Sequence, residues 1–247
     1  MDIICPQPVI EADRAAAAQR LNLYGPIHKA LRTCMSQTMM KVGCTDPSDA
    51  QAVAAALTMT ADLLDMCTEH IEKENGFMHP AIERVCPDGA RQIADEHVSH
   101  RADIQSLRCH IDAVSTAPIE HRPLALNDLY RALALFVALN FEHMHQEETE
   151  LNAILWAHYS DAELMALHES LLASIKPAEM MQAMRWMLPS LNHPERAGML
   201  AGMQAKAPAP AFAAVLDLAR QVLSTPDWAS LCRSLKIQPV AGLVQTC

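Results

Sequence analysis

Two steps of the form His-x-x-x-Glu, His70/Glu74 and His143/Glu147, are the parts of this sequence best suited to chemistry. A spacing of four places an imidazole and a carboxylate on the same face of an α-helix. One such step occurs by chance in many helices and commonly forms a surface contact. Both steps here interrupt apolar stripes, where unpaired carboxylates are costly. The stripe residues are Leu63, Met66, Cys67 and Phe77 around His70, and Phe136, Leu139, Leu151 and Ile154 around His143. The pattern therefore favours a buried metal site.

Helices must position these residues, because the chain shows no alternating strand pattern and contains only seven glycines. Proline, glycine and capping residues divide the first two-thirds into four long segments. The first runs from Gly25-Pro26 to about Val42, and the second from Thr45-Asp46-Pro47 to just before Pro80. The third runs from Pro87-Asp88-Gly89 to about Thr116, and the fourth from the Pro118–Pro123 break to about Tyr159. We predict an all-α fold, an antiparallel up-and-down four-helix bundle with a C-terminal helical extension. The bundle spans residues 1–165, and the extension, 166–247, packs on it or serves association.

The heights of the histidines in such a bundle provide a test. In an antiparallel hairpin, residues equally distant from the turn lie at the same level. The midpoint of His97 and His143 is residue 120, inside a predicted turn, and that of His28 and His70 is residue 49, beside another. Glu74 and His97 are likewise centred within the break after His79. Every helix thus brings one histidine to a common layer.

This layer predicts a pair of metal ions. Imidazole and carboxylate together suit iron, manganese or zinc. Glu74 and Glu147 can each bridge both ions, and His28, His70, His97 and His143 can give two nitrogens to each ion. A bridging oxo or hydroxo group and one open position, suited to O2, peroxide or NO, would complete the coordination.

The ordered motifs resemble the hemerythrin-like, or HHE cation-binding, family over about residues 20–165. The matching segments are LYGPIHKALR around His28, HIEKE from His70, DEH ending at His97, HMHQEE from His143, and the following ELNAILWAHYSDAEL. The resemblance implies a non-haem di-iron centre of the variant with four histidines and two bridging glutamates. Oxygen-carrying hemerythrins have a further histidine where this chain has Arg101. The departure favours sensing or redox chemistry over oxygen carriage, unless His100 substitutes.

Several other residues have two interpretations. Tyr24 lines the metal pocket or packs. His145, three residues before Glu148, competes with His143 as a ligand or is a rim residue. The acidic cluster Glu147-Glu148-Glu150 guides iron inward or forms a solvated face. Cys34, Cys67 and Cys109 are core residues or thiols acting near the metal, and the stretch Met180, Met181, Met184 and Met187 is a packing or partner surface. Surface or capping positions are predicted for His79, His110, His121, His158, His168 and His193.

Composition excludes other classes of function. The net charge of −10 and the scarcity of aromatic residues argue against a nucleic-acid surface. No unbroken apolar run reaches a membrane span, and the N-terminal residues do not resemble a secretory signal. Eight scattered cysteines indicate reduced thiols. We expect a cytoplasmic protein that binds or reacts with O2, peroxide or NO in sensing or in a response to redox or nitrosative stress. A homodimer is a possible assembly. A di-iron enzyme turning over peroxide or NO, and an iron-handling interaction protein, are the alternatives.

Overall fold

The computed structural model describes residues 20–238, and nine helices account for most of them. Two of the nine contain an internal π-helical turn. The bundle helices are α1 (Gly25–Gly43), α2 (Ala50–Lys73, continuing through Glu74–Met78 and His79–Val85), α3 (Arg91–Thr116) and α4 (Arg122–Gln146, continuing through Glu147–Leu151 and Asn152–His158). The others are α5 (Asp161–Ala173), α6 (Pro177–Ser190), α7 (His193–Lys206), α8 (Ala209–Val222) and α9 (Thr225–Leu235). Cys5 and Cys247 lie outside the described residues.

The ends of α2 differ from the prediction. Its cap is Asp49, whose carboxylate accepts hydrogen bonds from the amides of Gln51 and Ala52 at 2.9 and 3.0 Å, rather than Thr45. The helix also passes through Pro80, where the sequence predicted its end. A proline lacks the N–H that a regular helix requires and its ring crowds the preceding turn. Here the wider π turn lies immediately before it, and the amide of His79 bonds to the carbonyl of Glu74.

Four antiparallel helices form the bundle, as predicted. Helix α1 packs against α2 and α4, and α3 packs against the same two helices from the other side. The enclosed core is aliphatic, with Leu31, Leu63, Leu129 and Leu133 almost fully buried. Short connections join successive helices, so neighbours in sequence are neighbours in space.

The C-terminal helices pack on the bundle through α6, which lies along α1 and α2. Trp186 and Met187 contact the bundle core, while Met184 lies in a second core formed with α7, α8 and α9. The Met-rich stretch is therefore packing surface. An ion pair between Lys29 and Glu195, with Nζ–Oε1 2.5 Å, ties α1 to α7.

The span Arg122–His158 is long and apolar enough to cross a membrane by length and composition alone. In the bundle it is a core helix, with Leu129, Leu133 and Phe136 buried. Its inward face also carries His143 and Glu147, which a lone spanning helix would expose to lipid. This face of the span is therefore part of the bundle interior.

Candidate metal centre

Six side chains from all four bundle helices converge in the core. Their donor atoms form two groups, each within 4.8 Å, and Glu74 and Glu147 belong to both. The first metal group adds His28 and His70, and the second metal group adds His97 and His143. The six are the residues that spacing and helix height predicted.

In the first metal group, the two histidines approach one oxygen of each carboxylate. The Nε2 atom of His70 lies 3.2 Å from Oε1 of Glu74. The Nε2 atom of His28 lies 3.6 Å from the same oxygen and 3.4 Å from Oε2 of Glu147. Two nitrogens and two oxygens thus surround one position.

The second metal group uses the remaining carboxylate oxygens. The Nε2 atom of His97 lies 3.4 Å from Oε2 of Glu74 and 3.8 Å from Oε1 of Glu147. The Nε2 atom of His143 lies 3.4 Å from Oε1 of Glu147 and 3.0 Å from Nε2 of His97. Each glutamate therefore presents one oxygen to each position, which is the arrangement required of a bridging carboxylate.

Both glutamates stand at the first residue of a π turn, Glu74–Met78 in α2 and Glu147–Leu151 in α4. After each glutamate the buried positions recur every fourth residue, at Met78 and Ile82 in α2 and at Leu151 and Leu155 in α4. A regular α-helix of 3.6 residues per turn would rotate such positions away from the core. The wider π turn keeps them facing inward, and π turns commonly occur at functional sites.

Six buried polar atoms of this cluster form no hydrogen bond within residues 20–238. They are both carboxylate oxygens of Glu74 and of Glu147, and the Nε2 atoms of His28 and His70. The side chain of Glu147 is 0% exposed and that of Glu74 is 3% exposed. Buried carboxylates in this state are costly unless they are paired with cations. The donor set fits two transition-metal ions.

Three of the four histidines are oriented by a polar partner at Nδ1, as metal-binding histidines commonly are. His28 contacts Oε1 of Glu148 at 3.0 Å, and Arg32 holds that carboxylate through two hydrogen bonds of 2.6 and 3.1 Å. His143 contacts Oε2 of Glu96 at 2.8 Å. His97 contacts Oδ1 of Asn75 at 2.9 Å. Glu148 is thus the partner of a candidate ligand rather than a free surface charge.

The pKa values follow from burial and from these contacts. Burial lowers the pKa of His28, but the contacts with Glu148 and Glu74 outweigh it and raise the pKa to about 9. His143 also reaches about 9, because Glu147 and Glu96 outweigh its burial. Burial lowers the pKa of His70 to about 3. The pKa of Glu147 is raised by burial and by the charge of Glu74.

Each of three buried residues beside the centre has one side-chain polar atom that forms no hydrogen bond within residues 20–238. The Tyr24 hydroxyl forms none, and its ring lies 5.4 Å from that of His28. Burial and then the charges of Glu74 and Glu147 raise the tyrosine pKa well above its usual value. Tyr24 therefore both lies beside the candidate ligand His28 and packs in the core cluster that contains Met78 and Leu151.

The other two are His79 and His100, which flank the second metal group. The ring of His79 stacks on that of His97 at 5.0 Å, and the ring of His100 meets that of His143 at 4.6 Å. Burial lowers the pKa of each to about 4, so both are neutral at neutral pH. The prediction of a surface position for His79 was wrong. The π turn explains this, because it brings residue 79 to the face that also carries Glu74.

Two further predictions about burial were wrong, and the remaining histidines lie away from the centre. Cys109 and Leu139 are exposed, whereas Cys34 and Cys67 are buried core residues. Burial raises the pKa of both buried thiols, which makes them poor nucleophiles. Exposed positions are held by His121, His145 and His158, and half-buried ones by His110, His168 and His193.

The metal-free protein is expected to be most stable near pH 6.5. The raised pKa values of His28 and His143 contribute stability that is complete below pH 6.5 and is lost as the pH rises toward 9. The lowered values of His70, His79 and His100 have the opposite effect, because protons bind the unfolded chain as the pH falls below 6.5. Thermal unfolding of chelator-treated protein between pH 4 and 10 measures how stability falls on the acidic side of pH 6.5 (the acidic limb) and on the alkaline side (the alkaline limb). A stability that rises steadily from pH 6.5 to 9 would contradict the assignment.

Glu148→Gln, which removes one cause of the raised His28 pKa, is expected to move the alkaline limb to lower pH.

The family model of the hemerythrin HHE cation binding domain matches residues 27–155. Those residues make up just over half of the chain and include all six candidate ligands. Comparisons with curated proteins and with solved structures give no significant match.

Proposed function

The chain belongs to the hemerythrin HHE cation-binding family, and we propose that its centre holds two non-haem iron ions that bind O2, peroxide or NO. We further propose that this binding serves sensing or a response to redox or nitrosative stress in the cytoplasm. The metal-binding character follows from the family and from the His/Glu cluster. Iron, rather than another cation, is supported by the mixed nitrogen and oxygen donor set and by the usual metal of the family.

One observation carries the proposal: each metal group contains two histidine nitrogens and one oxygen from each of two shared carboxylates. Four protein donors leave coordination positions open on an ion that accepts six. Iron with open positions supplies binding and one-electron chemistry for small oxygen and nitrogen ligands.

The surroundings favour a small ligand. The candidate ligands are almost fully buried, with His28 and Glu147 at 0% and His97 at 1% exposure, which leaves little room for a large substrate. Arg101 is exposed and supplies no ligand in the position where oxygen carriers have a fifth histidine. His100 is buried beside His143, but it belongs to neither metal group. These features support sensing or redox chemistry over oxygen carriage.

The test is an absorption spectrum of iron-loaded protein, prepared without oxygen and then exposed separately to O2, peroxide and NO. We expect saturable spectral changes with at least one of them, at a ratio of one ligand per two irons. Repeated additions distinguish the roles, because a sensor stops at one equivalent whereas an enzyme consumes many. An iron-loaded protein that responds to none of the three would overturn the proposal.

Tyr24→Phe is expected to keep the bound metal and to weaken ligand binding by about fivefold. The substitution removes only the hydroxyl, and one hydrogen bond contributes about 1 kcal/mol. Titration of the spectral change gives the affinity, and metal analysis confirms loading. Tyr130→Phe, at a tyrosine 38% exposed on α4, is the matched control and is expected to bind as the wild type does. Equal affinities in both variants would exclude Tyr24 as a donor to the ligand.

A further inference from the structure

Helix α4 exposes a regular seam on the side opposite the metal centre. Within its α-helical part, exposed residues recur at alternating steps of three and four, the heptad spacing of helices that pair. They are Asp128, Arg131, Leu135, Ala138, Glu142 and His145, here called the α4 seam. Leu135 is 62% exposed, and Leu139 beside it is 41% exposed.

The α4 seam is complementary to itself. In two antiparallel copies related by a twofold axis between residues 136 and 137, Leu135 of one copy faces Ala138 of the other. The same symmetry brings Arg131 opposite Glu142, and Asp128 opposite His145. An isologous interface requires such pairing, since each contact occurs twice. An apolar centre thus lies between opposite charges at either end.

The charged residues of the seam have no partners within the chain. Over residues 20–238, neither Arg131, Glu142 nor Asp128 takes part in an ion pair within 4.0 Å, and no side-chain hydrogen bond engages them. A chain of net charge −10 repels its own copies in general. A contact that pairs one arginine with one glutamate from each copy avoids that repulsion.

We propose that the protein forms a twofold symmetric homodimer through antiparallel pairing of the α4 seams. The regular part of the seam, from Asp128 to His145, extends over about 26 Å at 1.5 Å per residue. It ends where the π turn at Glu147 changes the helix register. The proposal also accounts for the exposed apolar residues of α4. A lipid membrane is a poorer partner for this face than a second copy of the chain. A bilayer would have to desolvate Asp128, Arg131 and Glu142 on the same face.

Charge reversal tests the pairing. Sedimentation equilibrium of the full, metal-loaded chain is expected to show a dimer for the wild type. Arg131→Glu and Glu142→Arg each place like charges opposite one another, and each is expected to weaken dimerisation at least tenfold. The double variant with both substitutions restores opposite charges and is expected to recover the dimer. Arg101→Glu, an equal change of charge on the exposed side of α3, is the control and should remain dimeric.

The outcomes separate the proposal from its rivals. A monomeric wild type, or a dimer unaffected by both single reversals, would overturn it. Two single variants that are weakened without rescue in the double variant would exclude the Arg131–Glu142 pairing. Co-sedimentation of a monomeric wild type with phosphatidylcholine–phosphatidylglycerol vesicles would instead assign the face to lipid. Iron content equal to that of the wild type verifies that each variant is folded.

Discussion

Replacing Glu147 with glutamine is expected to remove most of both iron ions, whereas replacing His70 with alanine should remove mainly one. The carboxylate of Glu147 gives one oxygen to each metal group, and it lies 3.4 Å from both His28 and His143. An amide retains the shape but loses the charge and one of the two oxygens. His70 contributes to the first metal group alone, so the donors of the second remain. Metal analysis after identical reconstitution should therefore rank iron content as wild type, His70→Ala, then Glu147→Gln.

Two exposed residues close to the ligands provide controls for this ranking. His145→Ala removes a histidine two residues from His143, and Glu150→Gln removes a glutamate three residues from Glu147. Both are expected to bind as much iron as the wild type. Full iron occupancy in Glu147→Gln would refute the bridging role. If His145→Ala and His70→Ala lose equal amounts of iron, the assignment of His70 as a ligand would be wrong, because an exposed histidine outside both metal groups would matter as much.

The convergence of the six candidate ligands could be predicted because it depends on quantities that the sequence contains. Helix periodicity places His70 and Glu74 on one face, and the positions of the turns determine which histidines share a level. Both properties tolerate errors of a few residues in the helix ends. The shift of the α2 start from Thr45 to Ala50 therefore left the predicted layer intact.

The surroundings of the site could not be predicted in the same way. A π turn shifts every later residue to a different face of the helix, and no local sequence motif predicts where a π turn occurs. His79 was consequently assigned to the surface although it stacks on His97. Tyr24 precedes the first regular turn of α1, where helix periodicity gives no direction for a side chain. The exposure of Leu139 depends on how far the bundle wraps around α4, which is a property of the tertiary structure.

Removing the metals is expected to lower the melting temperature by about 10 °C. Binding at a thousand times the dissociation constant contributes about 4 kcal/mol, and each kcal/mol corresponds to about 2–4 °C in a chain of this size. The loss has a local cause, because the carboxylates of Glu74 and Glu147 are buried close together and form no hydrogen bond with any residue that the structure describes. Differential scanning calorimetry with and without a chelator measures the difference. An unchanged melting temperature would show that the cluster is stable without cations.

The effect of Glu147→Gln on the melting temperature should have opposite signs in the metal-bound and the metal-free protein. In the presence of iron the substitution lowers the melting temperature, since the ions no longer bind. In the metal-free protein it should raise the melting temperature by a few degrees, because burial and the charge of Glu74 raise the pKa of Glu147 and so disfavour its ionised form in the fold, whereas the neutral amide does not carry that cost. The imidazoles keep other partners, since His143 contacts Glu96 and His28 contacts Glu148. Glu150→Gln should change neither state. A Glu147→Gln protein destabilised equally with and without metal would indicate that the carboxylate stabilises the fold by itself, and would leave it no specific role toward the ions.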